Sequence, residues 1–156
     1  MLCPCGTGQK YQDCCGVFHQ QIYKAHTAEQ LMRSRYTAFC LSNILYIKNT
    51  MKQPALDQFD PIETEKWLKK LKWISLDIIN KSDSGISEGF VEFKAKYIEN
   101  GFLKCIHENS RFEKMNGEWF YVQGEHTPVK SILLTQNQLC PCGSLKKYKN
   151  CHGSVI

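Results

Sequence analysis

Residues 2–16 read LCPCGTGQKYQDCCG, and residues 139–153 read LCPCGSLKKYKNCHG. Nine of the fifteen aligned positions are identical, and Thr7 against Ser144 and Asp13 against Asn150 are conservative exchanges. Two such segments at opposite ends of one chain read as a single structural unit used twice. Each unit has two cysteines one residue apart, then a gap of eight residues, then an adjacent pair. The first supplies Cys3, Cys5, Cys14 and Cys15, and the second Cys140, Cys142, Cys151 and His152. Four soft or borderline ligands in two pairs suit a tetrahedral structural zinc site with no open position. Thiolate and imidazole are interchangeable to zinc, so the exchange of Cys15 for His152 fits a metal better than a disulfide or a packed core. The expectation is two structural zinc ions per chain and no catalytic one, since a catalytic zinc keeps a position for water. The competing readings are strained redox-active disulfides and inert thiols.

The residues between the ligand pairs fit a metal loop. Gly6 and Gly143 follow the first pair, where a tight turn favours positive φ. Tyr11 and Tyr148 can cover the site, and Lys10 and Lys147 recur beside its negative charge. Units this small cannot build a hydrophobic core, so the metal must supply their folding energy, on the order of 10 kcal/mol.

Composition sets the wider frame. The 156 residues are 42% hydrophobic and 12% aromatic, enough for one ordinary domain with small appendages. Nine cysteines are many, and their odd number argues against complete disulfide pairing. No stretch approaches the ~18 apolar residues of a membrane span, and residues 1–20 offer no export signal. Membrane insertion is therefore not expected. A cytoplasmic, reducing location is expected, where paired cysteines more often bind metal. The formal charge is +5. Seven ionised thiolates and two zinc ions would bring it to about +2, which leaves a weak case for direct nucleic-acid binding.

Between the units the pattern is first helical. Thr27 and Gln30 form a capping box, after which Met32, Tyr36, Phe39, Cys40, Ile44 and Ile47 keep helical spacing over about five turns. Asp60, Pro61 and Glu63 start a second helix with Ile62, Leu68 and Leu71 on one side. Its lysines, Lys66, Lys69, Lys70 and Lys72, read as a solvated face. The period then becomes two. Strands are expected over 73–79, 88–98, 102–113 and 118–123, with a loose polar turn from Asn80 to Gly85. Asn100-Gly101 and Asn116-Gly117 are strong hairpin signals. Helices followed by a four-stranded meander make an α+β domain. The expected organisation is a knuckle over 1–20, a central domain over 26–126 and a knuckle over 137–156.

A candidate polar cluster comprises Arg33, Arg35, His107, Glu108, Ser110 and Arg111. Glu108, Ser110 and Phe112 share one face of the third strand, and Cys105, His107, Asn109 and Arg111 the other. His107 and Glu108 therefore cannot act side by side. An ion pair between Glu108 and Arg33 or Arg35, locking helix to sheet, is the structural reading. A ligand pocket or an acid/base pair is the functional one. Cys40 and Cys105 lack ligand spacing and read as small buried residues.

The terminal units resemble the SEC-C motif, the zinc knuckle named for the C-terminus of the SecA translocase motor. That motif runs on as G-S-G-K-K-Y-K; Gly8 matches its second glycine, and Leu145 replaces it in the last unit. Two knuckles around an α+β domain resemble the YchJ family of bacterial proteins over essentially the whole chain. The supporting residues are Leu31 to Tyr36 with Ala38-Phe39, His107-Glu108 with Ser110 to Phe112, and Trp119 with Tyr121-Val122 and Gly124. Gln123 stands where the family has an acid, so no catalytic acid is carried over.

The resemblance implies a cone of helices wrapped by a curved antiparallel sheet, similar to nuclear transport factor two. In the translocase motor the knuckle contacts a chaperone and ribosomes. The resemblance therefore implies a zinc-binding adaptor for a protein or ribosome-associated partner, with Lys146, Lys147 and Lys149 suited to an acidic surface. The alternatives are a small-molecule-binding or enzymatic central domain capped by the knuckles, and a zinc-thiolate redox sensor.

Overall fold

In the computed structural model, which describes residues 1–82 and 87–154, the Thr27 hydroxyl accepts from the Gln30 amide at 3.1 Å and opens a helix. The Gln30 side chain accepts in turn from the His26 amide at 2.7 Å. A short helix, α1 (Cys15–His19), precedes this cap, and the capped helix is α2 (Ala28–Cys40). The expected five-turn helix is two helices. Ser42 takes a left-handed φ of 54°, and the Asn43 side chain accepts from Tyr46 N to start α3 (Ile44–Asn49). The apolar period runs through the break because both helices bury their inner faces in adjoining parts of the core.

Helix α4 (Pro61–Leu68) starts as expected, with Asp60 accepting from the Ile62 and Glu63 amides. Leu68 is buried, but Ile62 is 67% exposed and does not share its face. The lysine run meets its own acids: Lys66 pairs with Glu63 at 3.3 Å and Lys69 with Glu65 at 3.8 Å.

The meander follows as β1 (Lys72–Ser82), β2 (Glu88–Glu99), β3 (Phe102–Met115) and β4 (Glu118–Thr127), antiparallel in sequence order. Asn100, Gly101, Asn116 and Gly117 all have positive φ, as the tight hairpins require. The expected turn from Asn80 to Gly85 is strand up to Ser82, and its remainder lies outside the described residues. Register shifts in β1, and between β3 and β4 at Arg111/Phe112, add the local twist that curves the sheet.

Helix α2 packs Leu31, Met32 and Tyr36 into the concave face against Val91, Phe93, Ala95 and Phe112. The free edge of β4 is partly covered by residues 50–52: Tyr121 N donates to Thr50 O at 2.9 Å, and Lys52 N to Tyr121 O at 3.0 Å. A short strand, β5 (Ile132–Leu133), pairs with β3 and leads into the second knuckle. Among the described residues no helix is long and apolar enough to cross a membrane.

Candidate metal centres and central cavity

The repeat folds the same way twice. In each unit the first cysteine amide donates across a tiny hairpin, Cys3 to Gln9 O and Cys140 to Lys146 O, both at 2.8 Å. A turn follows in which Cys14 N donates to Tyr11 O at 3.1 Å and Cys151 N to Tyr148 O at 3.0 Å. Gly6 and Gly143 have φ of 85° and 81°. Gly8 takes φ 81°, and Leu145 takes the same left-handed conformation at 64°. The glycine closing each unit is fixed by the tyrosine: a Cβ on Gly16 would lie 2.7 Å from Tyr11 O, and one on Gly153 2.7 Å from the Tyr148 ring.

This geometry gathers the eight candidate ligands into two sets. The donor atoms of Cys3, Cys5, Cys14 and Cys15 lie within 4.8 Å of one another, as do those of Cys140, Cys142, Cys151 and His152. Cys5 and Cys14 sulfurs are 3.6 Å apart, and so are Cys142 and Cys151. Four sulfurs bound at ~2.3 Å to one tetrahedral ion stand about 3.8 Å apart, whereas a disulfide needs ~2.05 Å. His152 turns Nδ1 inward, 3.2 Å from Cys140 Sγ and 3.4 Å from Cys151 Sγ. All nine cysteines are free. The exchange of Thr7 for Ser144 keeps a hydroxyl 3.3 Å from the third cysteine of each set.

Thiols this close cannot all ionise without a cation. A hydrogen bond from Cys15 holds the Cys5 thiol down to about 4. Loss of that bond on ionisation, with burial, pushes Cys15 far up, and burial raises Cys14. In the other set the Ser144 hydroxyl brings Cys142 down to about 6, while burial raises Cys140. One sulfur in each set takes the negative charge while neighbours hold protons. A central divalent ion would release those protons. The donor types, separations and closed arrangement thus fit one metal ion per set.

Both knuckles are docked. In the first, Arg33 Nη1 donates to Cys5 O at 2.7 Å, and Thr37 Oγ1 donates to Cys15 Sγ at 3.3 Å. His19 Nε2 bonds Ser34 O at 2.8 Å and Nδ1 bonds the Tyr11 hydroxyl at 2.9 Å, which sets its tautomer. Burial lowers its pKa below 6.5. The second knuckle buries Tyr148 and Cys140 with Ile98 and Leu134 on the outer side of the sheet, and Lys72 donates to His152 O.

The polar cluster expected from the sequence divides. Glu108 and Ser110 face the concave side, where Ser110 donates to the Glu108 carboxylate. Tyr121 donates to the same carboxylate at 3.2 Å, and His126 Nε2 lies 3.0 Å from it. The expected Glu108–arginine ion pair does not form. Arg33 bonds Glu29 and the first knuckle. Arg35 Nη1 donates instead to Ile47 O at 2.8 Å and Thr50 Oγ1 at 2.7 Å, with its guanidinium 4.7 Å over the Tyr121 ring. Tyr121 therefore separates the two charges because it bonds one and stacks under the other. Burial lowers Arg35 to about 10, so it stays cationic. His107 and Arg111 occupy the outer face, paired with Glu92 and Glu113. Cys40 and Cys105 are half-buried and belong to neither ligand set.

Arg35 and Glu108 line a cavity of about 270 Å³ between α2, α4 and the sheet. Its walls include the aromatic side chains of Tyr36, Phe39, Trp67 and Trp73. A larger groove of about 370 Å³ runs past α1 and α3 to the start of β4, but it contains neither Arg35 nor Glu108.

Sequence reasoning missed Tyr121, Gly124 and His126 as site residues. Glu108 pairs across the sheet with His126, Ser110 with Gly124 and Phe112 with Tyr121. The shift at Arg111/Phe112 leaves Val122 as an extra residue, so Tyr121 shares a face with Gly124 and His126 despite the odd spacing. A Cβ on Gly124 would overlap the Glu108 carboxylate and approach the Tyr121 hydroxyl. A glycine inside a strand was the available signal.

A cone-like α+β domain carrying two four-donor cysteine knuckles defines an NTF2-like protein with paired SEC-C motifs. Residues 27–124 match the middle NTF2-like domain of YchJ, and residues 2–16 and 137–154 match the SEC-C motif. The chain belongs to the YchJ family, whose curated relatives are named UPF0225 proteins. It is 38% identical to one from Geobacter sulfurreducens over 98% of each chain. It is also 38% identical to one from Haemophilus influenzae, covering 99% of this chain and 93% of the relative. A SEC-C motif protein from Rhodopseudomonas palustris, solved in solution, superposes with TM-score 0.74 at 36% identity over 82% of this chain and all of its own. The crystal structure of another, from Psychrobacter arcticus, gives 0.70 at 33% identity over 100% of this chain and 97% of its own.

Proposed function

We propose that this chain is a zinc-binding docking protein in which two structural zinc ions hold the knuckles against the cone. The second knuckle offers a basic loop to an acidic protein or ribosomal partner. Zinc is the metal whose preferences match a closed set of three or four thiolates with imidazole as the alternative. A cytoplasmic, reducing setting would keep the thiols available to it.

The observation that carries the docking role is the outer loop of the second knuckle. Its tyrosine faces inward and is buried, while Lys146, Lys147 and Lys149 all face solvent. Leu145 stands among them 82% exposed, held outward by its left-handed backbone. An exposed leucine ringed by lysines suits a partner surface with an apolar notch and an acidic rim.

The test is co-sedimentation of the zinc-loaded protein with purified ribosomes, beside a variant carrying Lys146→Glu, Lys147→Glu and Lys149→Glu. The variant should keep both metal ions and bind about tenfold more weakly. Equal binding by the two proteins would remove the loop from the interface. No binding by either would remove the ribosome as partner.

A further inference from the structure

The cone cavity holds a charged group that the knuckles do not use. Arg35 is only 5% exposed, yet among the described residues both of its side-chain hydrogen bonds leave from Nη1. Among the described residues, Trp73 Nε1 is the only fully enclosed side-chain nitrogen or oxygen without a partner. Nε and Nη2 of Arg35 are therefore not sealed off, although the residue is almost wholly inside. Arg35 is one of the residues that line the cavity. A buried guanidinium with spare donors, in the lining of a cavity, calls for an acceptor.

Electrostatics restricts the acceptor. Glu108 lines the same cavity and balances the Arg35 charge, without touching it. Its carboxylate already accepts from Ser110 and Tyr121 and meets His126. A ligand with net charge would upset that balance in a low-dielectric space. An uncharged carbonyl oxygen takes a hydrogen bond from Arg35 without doing so.

Shape restricts the rest. The cavity of about 270 Å³ has room for roughly nine waters, so its ligand has on the order of ten non-hydrogen atoms. Tyr36 and Trp67 stand edge-on to Trp73, at 78° and 87° with centroids 5.5 and 6.1 Å away. Rings set this way form an aromatic corner, where a planar guest can stack on one ring and meet its neighbours edge-on. The mouth opens beside His126, whose side chain is 65% exposed.

We propose that this cavity is a binding site for a small, planar, uncharged molecule with a carbonyl-type acceptor. The acceptor bonds Arg35, and the guest ring stacks on one of Trp67, Trp73 and Tyr36 and meets the others edge-on. The site is independent of the knuckle loop and of any partner there.

The test titrates coumarin, a planar uncharged lactone, into the ¹⁵N-labelled full chain loaded with metal. The readouts are the indole N–H signals and the Arg35 Nε–H signal. Naphthalene, of similar shape without an acceptor, and coumarin-3-carboxylate, which is charged, serve as controls. Saturable shifts of Arg35 and of Trp67 or Trp73 are expected with coumarin, with about tenfold weaker binding of both controls. Ala95→Leu, which fills the cavity from β2, should abolish the shifts. No shift at millimolar coumarin would overturn the site, as would shifts that survive Ala95→Leu in a folded protein. Naphthalene binding as tightly as coumarin would overturn the Arg35 assignment. Tighter binding of the carboxylate would overturn the uncharged class.

Discussion

Gly124 has no side chain because the Glu108 carboxylate and the Tyr121 hydroxyl occupy the space where one would begin. Gly124→Ala should therefore cost about 1–3 kcal/mol, as overpacking does, read as a lower denaturation midpoint. An unchanged midpoint would mean that the carboxylate can move aside freely. At Leu145 the strain belongs to the backbone. The left-handed conformation costs a non-glycine residue about 1–2 kcal/mol, and glycine returns about 0.4–1 kcal/mol of that in unfolded-chain entropy. Leu145→Gly should slow metal loss from the second knuckle while removing the exposed leucine; faster loss would contradict this. Residue-level roles were unevenly legible. The eight donors could be read because metal chemistry fixes their type and spacing. Tyr121 and His126 could not, because one extra residue at Val122 reverses which side chains share a face.

Helix α2 joins the first knuckle to the cone: Arg33 and Thr37 reach the knuckle, and Arg35 and Tyr36 the cavity. His19 braces the same junction, and burial depresses its pKa. The unfolded chain then takes up a proton before the folded one as the pH falls. The stability this adds is present above about 6.5 and is lost as the pH falls towards the lower folded value. His19→Gln should cost about 1 kcal/mol at pH 7.5 and flatten the fall in stability between pH 7.5 and 5.5. Identical slopes for the two proteins would exclude His19 as the source. The knuckles also differ as elements. Cys3, Cys5 and Cys15 are buried, whereas Cys142, Cys151 and His152 are only half-buried. Chelator should strip the second knuckle first, in a fast phase that Cys151→Ser removes and Cys14→Ser leaves; the reverse assignment would contradict the burial argument. The break between α2 and α3 was hidden because the apolar spacing continues across it, although Asn43 marked the second start.

At the scale of the whole molecule, the meander was legible because Asn-Gly turns and alternation fix antiparallel neighbours with little help from tertiary contacts. Where the knuckles dock was not, because a repeat specifies its own loop and not the surface it meets. The first lies along α2, and the second on the outer side of the sheet beside Ile98. A metal ion in each set would staple both ends to a core that has its own apolar interior, so chelation should release the ends and leave the strands folded. All of this rests on each four-donor set holding one zinc ion. Native mass spectrometry of the intact chain, with Cys14→Ser and Cys151→Ser beside it, tests that most directly. The expected result is two zinc ions on the intact chain and one on each variant. A metal-free mass lowered by paired disulfides, or metal content unchanged by either substitution, would contradict it.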